Sequence, residues 1–246
     1  MIAKSVADLM AQHCEGKGGV ATCFGDQRMG FDSNNWKKGD RAEAFFQSIG
    51  YREFYDIDYN GKATYNLDLG KPFPPKFEES VDLLFDGGCA EHVPNIFQAF
   101  ENAWKMVKVG GCFIAQNPIN QFDKCYWNIN PEFHLAHLPA NGFEMLHIGV
   151  VVNLNLPGQA AFLLQRLLPK KTVSAVQSSS SRSKTRLVDW AFSVNRNFEI
   201  SPHSKLWEVM KSIFVPENTS TIVIARKVRP FKGAAIVDQE GYDRQT

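Results

Sequence analysis

VDLLFDGGCAEHVPNIFQAF, Val81 to Phe100, decides how the rest of the chain is read. Val81, Leu83, Leu84 and Phe85 make a short apolar run that can pack on both faces of a sheet, and it halts on Asp86-Gly87-Gly88. Apolar residues then recur at helical spacing. A strand that passes through a turn into a helix is the repeating unit of an α/β protein. A plain turn, however, needs neither the second glycine nor the Glu91-His92 pair that opens the next helix. Gly87 and Gly88 let a ligand approach the backbone with no Cβ in the way, which makes this turn a candidate binding element. A purely structural strand-to-helix turn is the competing reading.

Working outward, Pro94 to Val107 reads as a helix with Ile96, Phe97, Phe100, Trp104 and Val107 on its apolar side, ended by Gly110-Gly111 before a strand CFIAQNP. Upstream, a first helix carries Val6, Leu9 and Met10, and Val20 to Phe24 is a strand that breaks at Gly25-Asp26. MGFDSNNWKKGD is a loop, Ala42 to Ile49 a short helix stopped by Gly50, and EFYDIDYN and ATYNLDL are strands. Downstream come a short helix PEFHLAHLPANG, a long sixth strand FEMLHIGVVVNL and a final strand STIVIARKV, with a polar, frayed tail beyond Gly233. The alternation predicts a single α/β domain over 1–246: a Rossmann-like, seven-stranded, mainly parallel sheet with helices on both faces.

Residues 157–218 break the pattern. AAFLLQRLLPKK and HSKLWEVMKSIF are amphipathic helices flanking the serine-rich QSSSSRSKT, between two strands that a tight hairpin could join. A connection of that length is expected to be functional or disordered rather than incidental. It reads as an inserted helical lid over a substrate pocket; the competing reading makes Phe162 to Leu168 a homodimer contact.

Lys plus Arg (27) nearly balance Asp plus Glu (26), so the chain lacks the positive field that nucleic-acid binding relies on, and a small-molecule substrate is expected instead. The five cysteines are far apart, with no C-x-x-C pair, and read as reduced thiols of a cytoplasmic protein. No run reaches the roughly 18 apolar residues of a membrane span, and no signal peptide is evident. No membrane partner is expected.

In open α/β sheets ligands bind at the carboxyl ends of the strands. Those ends here are Gly25-Asp26, Asp58, Asp68, Asp86-Gly87-Gly88 and Asn117, each polar or glycine. Asp58 ends the second strand, where an acid commonly takes the paired hydroxyls of a ribose. Asp68, at the end of the third, can accept from an exocyclic amine. Together they describe a nucleoside. The G-x-G-x-x-G of nicotinamide enzymes, the phosphate loop G-x-x-x-x-G-K-[ST] and the G-x-S-x-G elbow are all missing.

With these residues in view, Val20 to Leu154, together with Ser220 to Val228, resembles the class I S-adenosylmethionine-dependent methyltransferases. The resemblance is carried by VATCFGD, YDIDYN, YNLDLGKPFP, VDLLFDGGCAEHVPN, FENAWKMVKVGGCFI and NPEFHLAHLPANGFEML. It implies S-adenosylmethionine as cofactor, with Gly25 and Asp26 at its methionine part, Asp58 at its ribose, Asp68 and Leu69 at its adenine, and Gly87 and Gly88 near the sulfonium. It also implies methyl transfer, and the near balance of charge favours a small-molecule acceptor, such as a sugar or a natural-product intermediate. In-line transfer from a sulfonium depends mostly on positioning, so an obvious base is not required. One departure stands out: the family's first loop carries several glycines, whereas FGDQRMG keeps Gly25 and returns to glycine only at Gly30. The rival reading is a methyltransferase-like partner subunit or binding module without catalysis.

His92 is either a general base or a structural residue of the turn. Asn117, Tyr126 and His134 are the candidate substrate residues; Tyr126 and its neighbours Trp127 and Asn128 follow the fifth strand, and their alternative is a packed loop. His134 and His137 lie one helical turn apart without an evident third ligand, so no metal is expected.

Overall fold

The computed structural model describes residues 1–121, 124–152 and 219–233. The proposed insertion at 157–218 and the tail beyond Gly233 lie outside the described residues. The strands are β1 (Val20–Phe24), β2 (Glu53–Asp58), β3 (Tyr65–Asn66), β4 (Val81–Asp86), β5 (Val107–Asn120), β6 (Phe143–Val152) and β7 (Thr219–Lys227). They form one seven-stranded sheet in the order β3-β2-β1-β4-β5-β7-β6. The expectation of a mainly parallel sheet is corrected: the sheet is mixed, parallel from β3 to β5, with β7 antiparallel to both β5 and β6. The first five strands are parallel, although no helix lies between β2 and β3; β6 and β7 pair directly as antiparallel neighbours, which no crossover enforces.

Both faces are covered. Along β5 and β7 the side chains alternate: Phe113, Ala115, Val223 and Ala225 join the core beneath α3 (Ile96–Met106) and α4 (Pro131–Ala140). Cys112, Ile114, Ile222 and Ile224 join the opposite core with α1 (Lys4–His13) and α2 (Glu43–Ser48). This period of two is what a sheet sandwiched between helices demands of its central strands.

Several expected boundaries move, each for a local reason. The helix expected after Gly88 splits into a 3₁₀ turn, Ala90–His92, and α3, because Pro94 forces Val93 out of the helical region (φ −93°, ψ 121°). Asn95 then caps α3, accepting from Gln98 N at 3.5 Å. Gly110 and Gly111 do not terminate that helix; they lie inside β5, where a Cβ on Gly111 would come within 2.8 Å of Asp82 O on the neighbouring strand. The third strand is reduced to two residues, because Asp68 folds the chain after it by accepting from Gly70 N at 2.9 Å.

Two long-range clamps fix these pieces. Lys227 of β7 is fully buried, and its ammonium donates to Trp104 O (3.2 Å) and Val107 O (2.7 Å), carbonyls at the C-terminal end of α3. Asn102, also buried, reaches from α3 to the connection after β3. Its Nδ2 donates to Leu69 O at 3.0 Å and Lys71 O at 2.8 Å, while its Oδ1 accepts from Phe73 N at 3.1 Å. Asn102→Ala strands all three backbone groups at once and should lower stability by about 2–3 kcal/mol, a cost of one to a few unpaired buried groups. Urea unfolding of the variant measures this as a shifted midpoint at unchanged slope.

Candidate functional site

Strand order reverses direction between β1 and β4, so the crevice at their carboxyl ends is the place where an open α/β sheet receives a ligand. Three of the expected residues border the neighbouring ends of β2 and β3, and a fourth, Gly25, follows β1. Asp58 is half-buried, accepting from Tyr59 N at 2.6 Å and Asn60 Nδ2 at 2.7 Å. Each of its oxygens keeps acceptor capacity. Leu67 N donates to Asp58 O at 3.1 Å, which sets the Asp68 turn beside it. Asp68 is paired with Lys71 at 3.4 Å on a partly exposed surface, and Leu69 is buried next to it. Gly25, at the end of β1, is left-handed (φ +74°), and a Cβ there would stand 3.3 Å from Cys89 Sγ.

Asp26 is not free-standing. It accepts from Arg28 (Nη2 at 2.6 Å), with Arg41 Nε at 3.7 Å, and Arg41 also pairs with the buried Asp56. Burial pushes the Asp56 carboxyl up, but hydrogen bonds from Thr64 and Arg41 outweigh that and hold it below the usual range. The segment between β1 and α2 is thereby pinned across the end of β2.

The two glycines of the opening stretch have separate causes. Gly88 adopts φ +86°, and a Cβ there would meet Glu91 Oε1 at 3.1 Å. Gly87 is required by its neighbours: a Cβ would lie 2.5 Å from both Gln27 Oε1 and Phe85 Cε1. Gln27, a residue that the motif reading passed over, is 8% exposed and inserts its carboxamide between the ends of β1 and β4. Its Nε2 donates to Phe24 O at 3.1 Å and Gly87 O at 3.2 Å. Its available signal was the polar side chain two positions beyond Gly25, in a loop where the resembling family is rich in glycine.

Behind the crevice lies a buried acid pair. Asp86 Oδ1 accepts from Cys89 N (2.9 Å) and Ala90 N (3.1 Å), and Asn117 Nδ2 donates to Asp86 Oδ2 (2.8 Å) and Glu91 Oε2 (3.3 Å). Burial raises the pKa of Asp86 in spite of these donors. Burial first, and the Asp86 carboxylate second, push Glu91 up to about 8. Burial and the neighbouring carboxylate thus favour its protonated form. Asn117, expected to face substrate, is buried in this cluster, bridging the two acids.

The remaining candidates separate. Tyr126 is 73% exposed at the rim, where its backbone N–H and that of Trp127 donate to Glu91 O (3.0 and 3.3 Å). His92 is exposed on the 3₁₀ turn. His134 is fully buried, its ring edge-on to Phe100 and Phe133, and burial lowers its pKa to about 3. It stays neutral inside the core under α4. Among the described residues no group of three or more His, Cys, Asp or Glu side chains could hold a metal ion, and no helix is long and apolar enough to cross a membrane.

The ends of β2 and β3 carry the acceptors of Asp58 and Asp68, and the neighbouring β1–β4 crevice is filled by the Gln27 carboxamide. The acid pair gives a separate expectation. Folding favours the protonated form of Glu91, so its contribution to stability is complete below the ordinary glutamate pKa and is lost as pH rises through about 8. Urea unfolding at about pH 5 and about pH 9 should show the wild type losing stability more steeply than Glu91→Gln, which cannot ionise.

No family model matches the chain, and no curated protein matches it. Solved structures do align with it. A Bacillus halodurans C-125 protein assigned as a methyltransferase is 12% identical, with a TM-score of 0.48 over 90% of this chain and 97% of that one. The [4+2]-cyclase SpnF is 13% identical, with a TM-score of 0.46 over 90% of this chain and 79% of that one. The geranyl diphosphate C-methyltransferase of Streptomyces coelicolor A3(2), solved with Mg2+, geranyl diphosphate and S-adenosyl-L-homocysteine, is 10% identical, with a TM-score of 0.45 over 90% of this chain and 76% of that one.

Proposed function

We propose that the carboxyl edge of the sheet binds S-adenosylmethionine and that the chain transfers its methyl group to a small-molecule acceptor. The observation that carries this reading is the adjacent placement of Asp58 and Asp68 at the ends of β2 and β3, tied together by Leu67 N on Asp58 O. Asp58 takes the ribose hydroxyls, Asp68 the adenine amine, and the buried Leu69 an apolar edge of the base. The cofactor supplies a methyl group on a sulfonium, a leaving group that is already activated. The chain has then to bind, orient and exclude water.

Glu91 and Asp86, joined by Asn117, make a rigid floor behind Gly88, and the protonated state of Glu91 keeps it from adding a second negative charge. Tyr126 and Trp127 stand exposed over that floor and offer aromatic surface to the acceptor. The near balance of charge supports a small acceptor rather than nucleic acid, and the scattered thiols support a reducing, cytoplasmic setting. A second reading, a binding module without catalysis, is favoured by Gln27 filling the crevice between Gly25 and Gly87.

Calorimetry with S-adenosylhomocysteine tests the cofactor assignment: saturable binding is expected, and neither heat nor thermal shift at millimolar ligand would overturn it. Asp58→Ala should weaken that binding by about 1.5–3 kcal/mol with the fold intact, the scale of a hydrogen bond to a charged group. Unchanged affinity moves the ribose contact elsewhere. Release of S-adenosylhomocysteine from S-adenosylmethionine only when an acceptor is added separates enzyme from module.

A further inference from the structure

Gln27 is unusual on two counts. Its side chain lies in the crevice where strand order reverses, and its Oε1 is buried without a hydrogen-bond partner among the described residues. The orientation of the amide is fixed by its surroundings: turning it over would set the oxygen against two carbonyl oxygens, Phe24 O and Gly87 O, which now receive Nε2. Backbone bonds hold the residue from both sides, Gln27 N to Gly25 O at 3.0 Å and Ala42 N to Gln27 O at 3.0 Å. The inserted position therefore gains two neutral hydrogen bonds and leaves one acceptor unpaired, an arrangement easily given up to a better donor.

We propose that Gln27 determines which part of the cofactor this site holds: its carboxamide nitrogen occupies the place of a ligand ammonium on Phe24 O and Gly87 O. This rests on the cofactor assignment made above. The nucleoside half of the ligand meets Asp58 and Asp68 without hindrance. The amino-acid half, extending across β1, meets the Gln27 side chain and has to displace it. A charged ammonium donates more strongly than a neutral amide, so displacement is feasible, but breaking the two hydrogen bonds of the Gln27 carboxamide offsets much of the gain. Gly87 shows how close the fit is, since even a Cβ there would collide with the Gln27 carboxamide. The site is thus a nucleoside site with a stopper at its far end.

The test compares S-adenosylhomocysteine with 5′-methylthioadenosine, which has the same nucleoside and thioether but no amino-acid end. For the wild type, calorimetry should give the two ligands affinities within about tenfold of each other, since the amino-acid end adds little net binding. Gln27→Gly and Gln27→Ala should bind S-adenosylhomocysteine about tenfold more tightly, the equivalent of one hydrogen bond no longer given up, and leave 5′-methylthioadenosine within about twofold. Binding of both ligands with a ratio that neither variant changes, or S-adenosylhomocysteine weakened by the variants, overturns the role of Gln27 and leaves the cofactor assignment standing. A wild-type preference for S-adenosylhomocysteine well beyond tenfold overturns it without recourse to a variant. Neither ligand binding to any of the three proteins overturns the cofactor assignment itself.

Discussion

Asp86 is a carboxylate at the end of a central strand, wholly removed from water, and a group in that position must be supplied with donors or protonated. Much of the candidate site follows from that requirement. Two of the donors are Cys89 N and Ala90 N, which the chain can present only by doubling back within three residues of the strand end. The doubling back puts Gly88 at positive φ and brings Glu91 underneath the turn. A third donor has to come from the next strand, and Asn117 provides it, joining the ends of β4 and β5 into one unit. The geometry at this edge is thus fixed by electrostatics in the interior, and the solvent-facing residues are arranged over a floor that cannot shift without uncovering a buried charge.

The parts of this arrangement that could be read from the sequence were those expressed in local periodicity. The apolar run Val81 to Phe85, the helical spacing of Phe97, Phe100 and Trp104, and the acid at the end of β2 all announce themselves within a few residues. What could not be read depends on contacts between distant segments. Asn102 looks like any polar residue on a helix, yet it is the clamp of the Asp68 turn, some thirty positions upstream in the chain. Gly87 reads as an opening for a ligand, but the opening is taken up by Gln27, sixty positions away. His134 sits in a motif-like segment and was expected near substrate; its helix turns it into an aromatic core. The direction of β7 was similarly hidden, because a single strand carries no local mark of its orientation relative to neighbours.

Two kinds of polar burial coexist in the molecule. At Lys227 the buried ammonium finds carbonyl acceptors at the end of α3 and an acid, Glu79, although burial still lowers its pKa. At Gln27 and Asn117 one acceptor in each side chain is left without a partner among the described residues, as are the indole N–H groups of Trp36 and Trp104, the Thr221 hydroxyl and the ring nitrogens of the core residue His134. The pair at Gln27 and Asn117 lies at the carboxyl edge of β1, β4 and β5, which is where an α/β sheet exposes its backbone to ligands.

The position of β7 has a consequence for biosynthesis. Among the described residues it is the last strand along the chain but lies between β5 and β6, hydrogen-bonded to both, and carries the lysine that closes the end of α3. A nascent chain that has not yet delivered Thr219 to Lys227 cannot complete the sheet, however early β1 to β5 come together. Until then β5 and β6 each present an open row of backbone donors and acceptors flanked by apolar side chains, the kind of edge that pairs with other chains. The interval between emergence of β6 and arrival of β7 is therefore when the chain is most open to pairing with other chains, and truncations just short of residue 219 would keep those edges open.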